Sequence, residues 1–470
     1  MSGTDSKPYE DESATRPVPT AGGGPVTTAG GESVAVAGGE SVEVRGGESV
    51  AVEGGESLAV EGGESLAVAG GEPATVRLPV QEPRAARGES PKSPPGRDRY
   101  LDLLRSVALV RVVFYHVFGW AWLSVVFPSM GVMFALAGSL MARSLARPAV
   151  SVIRGRLRRL LPPLWLFAAL LVPAMLYAGW RAPRGEGFGW WLRLATYLVP
   201  LGAPPYPESL GSTGGWLEQG WADEAAGPLW YLRAYLWFVV ASPFLLKALR
   251  RAPWPVFLAP VALTALIGTG VVTIPGETGL ALVDFAQFGS CWVLGMAYQE
   301  GLLRKVPRYL AVSLSGFLMA FGLWWALGHA GDDGIDLNDI PLAQATWSLG
   351  FTVVLFQYAP SWKTLPGRLA CLDRFVTLTN NRAVTIYLWH NLLILATVPL
   401  IDLLWRLPAS DGAFGTFLGD SYAWWMFVVV WPLLALAIVL VGWAEDVAAK
   451  RRPRLWPDGG GGGKSRPRRA

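Results

Sequence analysis

Arg105 and His116 lie in the first long apolar stretch of the chain, with ten residues between them. Ionisable side chains are costly within a membrane and usually mark a functional site there. On a helix, eleven steps of about 100° bring His116 to within roughly 20° of Arg105, about 16 Å further along the axis. The spacing therefore predicts that a base, histidine, and an anion-binding group, guanidinium, share one face of the first helix.

The composition indicates a membrane protein that could hold such a helix. Hydrophobic residues make up 52% of the 470 residues and charged residues only 16%. From residue 101 onward, apolar runs of about 20 residues recur, which is the length that crosses a bilayer. They predict an all-α, polytopic transmembrane bundle of about ten spans. The spans are predicted at 101–122, 124–142, 160–180, 228–247, 254–274, 280–299, 309–328, 340–359, 383–405 and 422–444.

The loops between these spans differ in charge. One alternate set is rich in arginine and lysine, for example at Arg250, Arg304 and Arg374, whereas the other set is poor in basic residues and carries acidic clusters. The positive-inside rule makes the basic set cytoplasmic. An even number of spans then puts both termini in the cytoplasm, and we expect a multi-pass protein of the plasma membrane.

Three regions follow from the composition: a tail at 1–98, a membrane domain at 99–446, and a basic Gly- and Arg-rich cytoplasmic tail at 447–470. The first tail contains six copies of an eight-residue unit, starting with GGESVAVA at Gly30. Alternating apolar residues in each copy would allow a small β-solenoid. The copies are short, rich in Gly, Glu, Ser and Ala, and lack aromatic residues, so the composition favours a disordered tail.

Five segments carry a recognisable combination of motifs in a fixed order. They are LLRSVALVRVVFYHVFG, FPSMGVMFALAGSLMARSL, VIRGRLRRLLPPLW, GPLWYLRAYLWFVVASPFL and NRAVTIYLWHNLLI. Together they resemble the membrane acyltransferase-3 family, which includes glycan O-acetyltransferases. The resemblance covers about 101–444. It implies a polytopic helical enzyme that transfers acyl groups within the membrane domain.

The chain departs from the family pattern in its second span. The usual Ser-Gly pair is replaced by Ala137-Gly138, so no role for a serine hydroxyl can be carried over to this position. A second, extracytoplasmic transferase domain is also not expected, because the chain ends soon after the tenth predicted span. We therefore expect the membrane domain to act alone.

Acyl transfer from a thioester to an alcohol needs a base for the hydroxyl and stabilisation of the oxyanion. The resemblance makes His116 the catalytic base, and either direct transfer or an acyl-histidine intermediate fits. The alternative is a buried histidine that hydrogen-bonds between helices. Arg105 is the second catalytic candidate, because guanidinium suits the phosphates of an acyl-coenzyme A donor. Its alternative is a snorkelling arginine or an ion pair with Asp102.

Further candidates surround this pair. Arg158 and Arg159, and with them Arg154 and Arg156, could bind the nucleotide end of the donor, although topology alone also requires arginines in an inner loop. Arg233 is a further candidate for donor binding, with a structural role as the equal alternative.

His390 and Trp230 are the candidate substrate contacts, and hydrogen bonding between helices is the favoured alternative for His390. Arg111 points away from His116 and could pair with Asp284 or another acidic partner. Aromatic residues of the outer segment 181–227 could stack on sugar rings or simply mark the lipid interface. They are Trp190, Trp191, Tyr206, Trp216 and Trp221.

These observations predict an integral membrane O-acyltransferase. It would take an acyl group, in the first place acetyl, from acyl-coenzyme A as co-substrate and place it on a hydroxyl of a glycan or glycosylated small molecule. No permanently bound cofactor, metal or nucleic acid is expected, since the chain has only three histidines and no Cys-x-x-Cys pair. The alternative is a transporter or flippase that uses Arg105, His116 and Asp284 as a relay.

Overall fold

The computed structural model describes residues 98–182, 185, 187–202, 204–205, 220–331 and 334–459, together with six short strands before residue 70. From residue 98 onward the described structure is helical, which confirms the predicted helical bundle. Sixteen α-helices follow one another in this part of the chain. They are α1 (Arg99–Phe118), α2 (Leu123–Val126), α3 (Ser129–Ser144), α4 (Ala149–Tyr177), α5 (Gly187–Leu194), α6 (Trp221–Ala226), α7 (Leu229–Arg251), α8 (Pro253–Gly268), α9 (Gly276–Gln299), α10 (Arg308–Leu327), α11 (Pro341–Gln357), α12 (Asp373–Asn381), α13 (Ala383–Asp402), α14 (Ala413–Asp420), α15 (Tyr422–Val441) and α16 (Trp443–Ala448).

Seven helical stretches of the described chain are long and apolar enough to cross a membrane. They are Leu123–Ser144, Ala149–Tyr177, Trp221–Arg251, Thr278–Gln299, Arg308–Leu327, Ala383–Arg406 and Tyr422–Val441. The three remaining predicted spans coincide with α1, α8 and α11. Helix α1 carries several charged side chains, α8 has 16 residues and α11 has 17. The number of ten spans therefore stays a prediction.

The N-terminal unit contains the strands β1 (Pro25–Thr28), β2 (Ser33–Ala35), β3 (Glu43–Arg45), β4 (Val50–Glu53), β5 (Ala59–Glu61) and β6 (Ala67–Ala69). Strand β3 pairs with β5 and β4 with β6, both in parallel, while β1 pairs antiparallel with β2 and β4. In each parallel pair the partners are two repeat units apart, as for Glu43 and Ala59. The rest of this tail lies outside the described residues, so its predicted disorder is still a prediction.

Helix α4 begins earlier than the sequence suggested. The arginine cluster around Arg156 was expected in an inner loop, but it lies on the first turns of a helix that starts at Ala149. Arginine and leucine are good helix formers, and no proline follows Pro148 until Pro162. The helix therefore runs unbroken into the span and presents the arginines at fixed angles.

The centre of the bundle is the crossing of α3 and α9, where glycines allow the two backbones to approach closely. A Cβ atom on Gly138 would lie 2.2 Å from the Trp292 carbonyl oxygen, and one on Gly295 would lie 1.9 Å from the Ala135 carbonyl oxygen. Small residues permit such contacts between membrane helices. Buried aromatic rings fill the surrounding space, with Phe134 stacked on Phe288 at a centroid distance of 4.9 Å.

The chain after α15 packs back onto the start of α13. Arg382, which is fully buried, donates from Nη2 to Asp446 Oδ2 at 2.7 Å. Asn381 donates to the Pro457 carbonyl at 2.8 Å. Contacts with the bundle thus continue beyond the predicted domain boundary at 446. Residues 460–470 of the basic tail lie outside the described residues.

Candidate active site

One of two neighbouring cavities contains both His116 and His390. This histidine cavity has a volume of about 240 Å³, and its described lining consists of His116, Asp223, Glu224, Gly227, Pro228, Trp230, Tyr387, His390 and Asn391. His116 comes from α1, and its side chain is accessible. His390 comes from α13 and is only 1% exposed. Their ring centroids are 5.1 Å apart, so the structure brings together His116, His390 and the predicted contact Trp230.

Helix α1 carries both of the residues that opened the sequence analysis. Asp98 caps its first turn by accepting a hydrogen bond from the Tyr100 amide at 3.0 Å. The helix ends at Gly119, which adopts the left-handed conformation with φ 63°. Arg105 and His116 therefore lie on one continuous helix, three turns or about 16 Å apart. His116 lies in its last turn.

The second cavity contains Arg105 and three more arginines. This arginine cavity has a volume of about 340 Å³. Its lining includes Arg105 of α1, Arg156 and Arg159 of α4, and Arg451 after α16. The polar lining is completed by Asn380, Asn381, Tyr231, Tyr235, Tyr387, Glu445 and Asp446. The four cations suit a polyanionic ligand, and Glu445 and Asp446 partly offset their charge.

Arg105 is fixed by a neighbouring amide. Its Nη1 donates to Asn380 Oδ1 at 2.9 Å and lies 3.9 Å from Asp102 Oδ1. The Nδ2 group of Asn380 in turn donates to the Asp102 carbonyl and to Ser106 Oγ. These contacts join α12 to α1. They hold the Arg105 guanidinium at the cavity wall. Arg105 therefore lines the cavity and forms the ion pair with Asp102 at the same time.

The remaining predicted donor contacts divide into two groups. Arg159 lines the arginine cavity, whereas Arg158 and Arg154 are not among its described lining residues. Arg156 also lines the arginine cavity. Its guanidinium donates to the Leu140 carbonyl and to Ser144 Oγ, each at 3.1 Å. The helical geometry explains the split, because successive residues of α4 point about 100° apart.

Arg233 is not among the described lining residues of either cavity. Its Nη2 donates to Asp284 Oδ2 at 2.6 Å, and the residue is 6% exposed. This buried ion pair links α7 to α9. It corresponds to the structural role that was the alternative to donor binding for Arg233. The possible pairing of Arg111 with Asp284 does not form. Instead Arg111 donates to the Leu123 carbonyl at 3.3 Å and lies 4.8 Å from the Tyr115 ring centroid.

The tautomer of His390 follows from one contact. Its Nδ1 lies 2.6 Å from the Tyr387 carbonyl oxygen, which can only accept a hydrogen bond, so Nδ1 must carry the proton. Nε2 then carries a lone pair. This atom is buried and has no hydrogen-bond partner among the described residues.

Tyr387 belongs to the walls of both cavities. It is 5% exposed, and its ring lies 5.0 Å from that of Tyr231 and 5.5 Å from that of His390. The arginine cavity and the histidine cavity are thus neighbours, with this tyrosine between them. A ligand held by arginines at one end could extend past Tyr387 toward His116.

A comparison with protein families identifies the family to which the chain belongs. The sequence model of the acyltransferase-3 family, described as an acyltransferase domain, matches residues 98–444. The chain belongs to this family. The match confirms the predicted resemblance, and it covers every residue that lines the histidine cavity. No curated protein and no solved structure gave a match.

The aromatic residues of segment 181–227 in the acyltransferase are not among the described lining residues of the histidine cavity. Trp190 is buried against Trp180 at a ring-centroid distance of 5.1 Å, and Trp191 is exposed. Trp221 is buried at the start of α6. Tyr206 and Trp216 lie outside the described residues. Trp190 and Trp221 thus have packing roles in the structure.

Sequence reasoning missed several polar residues of the acyltransferase cavities. Asn380 lies in the polar segment TLTNNR just before a span, and Asn391 directly follows His390. Polar side chains in or beside a span are a signal that could have identified both. Asp223 and Glu224 carried no such signal, because they occur in a long outer segment. Arg451 was assigned to a tail.

Proposed function

We propose that this acyltransferase is an O-acyltransferase that moves an acyl group, in the first place acetyl, from acyl-coenzyme A to a hydroxyl of a glycan or glycosylated small molecule. Family membership supports acyl transfer. The observation that carries the donor assignment is the pair of neighbouring cavities, one lined by arginines and one by histidines, on either side of Tyr387.

The donor would bind with its phosphates in the arginine cavity. Coenzyme A carries several phosphate charges, and guanidinium groups bind phosphate through charge-assisted hydrogen bonds. Arg105, Arg156, Arg159 and Arg451 supply these groups. By the charge distribution of the loops, this end of the bundle faces the cytoplasm of a cell with the protein in its plasma membrane. The thioester arm would then extend along α1 toward His116.

His116 would act as the base at the other end of this path. One of its ring nitrogens takes the proton of the acceptor hydroxyl, and the oxygen attacks the thioester carbonyl. The carbon–sulfur bond then breaks, and coenzyme A leaves as the thiolate. If His116 itself attacks first, an acyl-histidine forms and is then consumed by the hydroxyl. Both routes need the imidazole accessible, as His116 is.

The transporter alternative has less support. Its relay used Asp284 together with Arg105 and His116. Asp284 pairs with Arg233 and is not among the described residues of either cavity. A relay through these three groups would need a rearrangement of α9, whereas acyl transfer uses the arginines and histidines where they lie.

The test measures hydrolysis and transfer of radiolabelled acetyl-coenzyme A by the purified protein in nanodiscs. We expect turnover by the wild type and a loss of at least about 100-fold in a folded His116→Ala variant. His329→Ala is the matched control, because His329 is exposed in the turn after α10, where its ring stacks on Trp325 of that helix. Absence of turnover in the wild type with a range of acyl donors and glycan acceptors would reject the proposal in favour of transport.

A further inference from the structure

The histidine cavity is lined by groups that accept hydrogen bonds. Asp223 and Glu224 contribute carboxylates, and both residues are exposed. Its described lining contains no arginine and no lysine, in contrast to the neighbouring arginine cavity. The two cavities therefore present opposite charges to their ligands. The arginine cavity suits a phosphate-bearing acyl donor. The histidine cavity suits a molecule whose hydroxyl groups donate hydrogen bonds.

Asn391 provides an independent sign of a ligand in this cavity. Its Nδ2 donates to the Glu224 carbonyl at 3.0 Å, which fixes the orientation of the amide. Oδ1 is consequently held on the opposite side, where it is buried and has no partner among the described residues. The residue is 5% exposed and lines the cavity. Buried polar atoms are nearly always paired, so this oxygen is placed to accept a hydrogen bond from a molecule in the cavity.

We propose that the histidine cavity is the acceptor site and that it takes a polyol without a negative charge. This proposal rests on the proposed function. Hydroxyl groups of the acceptor donate to Asn391 Oδ1 and to the carboxylates of Asp223 and Glu224, while the reacting hydroxyl faces His116. An acceptor that carries its own carboxylate or phosphate is repelled by the two carboxylates in this confined space.

The test compares two acceptors that differ in one group, methyl β-D-glucopyranoside and methyl β-D-glucopyranosiduronate. We expect kcat/KM for acetyl transfer to be at least about tenfold higher for the uncharged glucoside. The double variant Asp223→Asn/Glu224→Gln keeps hydrogen-bond acceptors but removes both charges. In this variant the values of kcat/KM for the two acceptors should be closer to each other than in the wild type.

The possible outcomes distinguish failure of the charge assignment from failure of the proposed function. Equal or better transfer to the glucuronide, or an unchanged ratio in the double variant, would overturn the charge assignment. Hydrolysis of acetyl-coenzyme A without transfer to either glycoside would also overturn it while leaving the donor chemistry intact. A wild type that neither hydrolyses nor transfers would instead contradict the proposed function.

A different observation assigns a role to His390. The Nδ1 contact with the Tyr387 carbonyl leaves the lone pair on Nε2, and the His390 ring centroid lies 5.1 Å from that of His116. At this separation a rotation of the accessible His116 ring can bring nitrogens of the two rings to about 3 Å, a hydrogen-bond distance. We infer that His390 is a positioning residue that accepts a hydrogen bond from one ring N–H of His116. The other nitrogen of His116 then keeps the lone pair that receives the hydroxyl proton.

This role predicts a kinetic signature. Replacing His390 by leucine removes the acceptor, and we expect kcat to fall by about 100-fold with little change in KM for acetyl-coenzyme A. His390→Gln can place an amide oxygen near the position of Nε2 and should recover a substantial part of kcat. A purely structural role would instead lower the unfolding temperature of both variants and give no recovery with glutamine.

Nitrogen-15 NMR provides the second readout, because the chain has only three histidines. In the labelled wild type we expect one histidine with the proton on Nδ1, and His116→Gln should shift the Nε2 resonance of that ring. His329→Gln should leave it unchanged. A His390 protonated on Nε2, or one that does not respond to His116→Gln, would overturn the inference.

Discussion

At the scale of single residues, two adjacent arginines separate a binding role from a topological one. Arg158 and Arg159 have the same charge, lie on the same helix and occupy the same end of the bundle, so the positive-inside rule treats them alike. Only Arg159 is among the described residues of the arginine cavity. The pair therefore forms a natural matched experiment on donor binding.

We expect Arg159→Ala to raise KM for acetyl-coenzyme A by about tenfold, since a charge-assisted hydrogen bond to phosphate contributes roughly 1.5–3 kcal/mol. Arg158→Ala should change KM by less than about twofold, because an exposed charge outside the cavity adds little. Initial-rate kinetics in nanodiscs would measure both values. An equal effect of the two substitutions would mean that the arginines act through the general positive potential and not through contact.

At the scale of helices, Ala137 of α3 lines the arginine cavity, and the next residue, Gly138, is where α3 approaches α9 closely. We expect Gly138→Ala to destabilise the protein by several kcal/mol, because the new Cβ would lie 2.2 Å from a backbone oxygen and overpacking is costly. Gly155→Ala on α4 is the control. Outside the backbone of its own helix, no atom of the described residues lies within 4 Å of its added Cβ, and alanine is the better helix former by about 1 kcal/mol. Thermal unfolding in detergent would compare the two, and similar unfolding temperatures would argue against a tight α3–α9 crossing.

The contact between α16 and α13 introduces a dependence on pH. Glu445 Oε1 accepts hydrogen bonds from the Thr385 amide and hydroxyl, each at 2.6 Å. Desolvation nevertheless raises the pKa of Glu445 to about 7. The ordinary value is 4.5, so between these values the folded protein holds a proton that the unfolded chain releases. This group therefore favours folding at low pH, and that contribution is lost as the pH rises toward 7.

We expect the unfolding temperature of Glu445→Gln to depend less on pH between 5 and 8 than that of the wild type. Glutamine keeps the accepting oxygen for Thr385 but cannot ionise. Differential scanning fluorimetry at fixed ionic strength would record both profiles. Parallel profiles would mean that Glu445 does not titrate in this range.

At the scale of the whole molecule, the sequence predicted what periodic hydrophobicity and family motifs encode. The helical bundle follows from those signals, as does the choice of Arg105, His116, His390 and Trp230 as candidate site residues. The choice of Arg159 over Arg158, the pairing of Arg233 with Asp284, and the approach of Asn380 to Arg105 do not. They depend on the rotation of each helix about its axis and on contacts between residues far apart in the chain, which local patterns do not determine.

The two ends of the chain should differ in their importance for activity. The residues that line the two cavities lie between Arg105 and Arg451. Deletion of residues 1–90 should therefore leave turnover of acetyl-coenzyme A within about twofold of wild type, since it removes none of the described lining residues of either cavity. Loss of membrane insertion or of turnover in this truncation would contradict the expectation.

Truncation before Trp443 removes part of the arginine cavity itself. Glu445, Asp446, Ala449 and Arg451 are lost from its lining, and Arg382 loses its carboxylate partner. An uncompensated buried charge costs about 3–5 kcal/mol. We expect lower stability and no turnover. The single variant Asp446→Asn separates the two effects, because it leaves Arg451 in place: reduced stability with turnover retained in this variant would attribute the truncation's loss of activity to the missing cavity wall. Full stability of Asp446→Asn would instead show that the buried arginine does not depend on this partner.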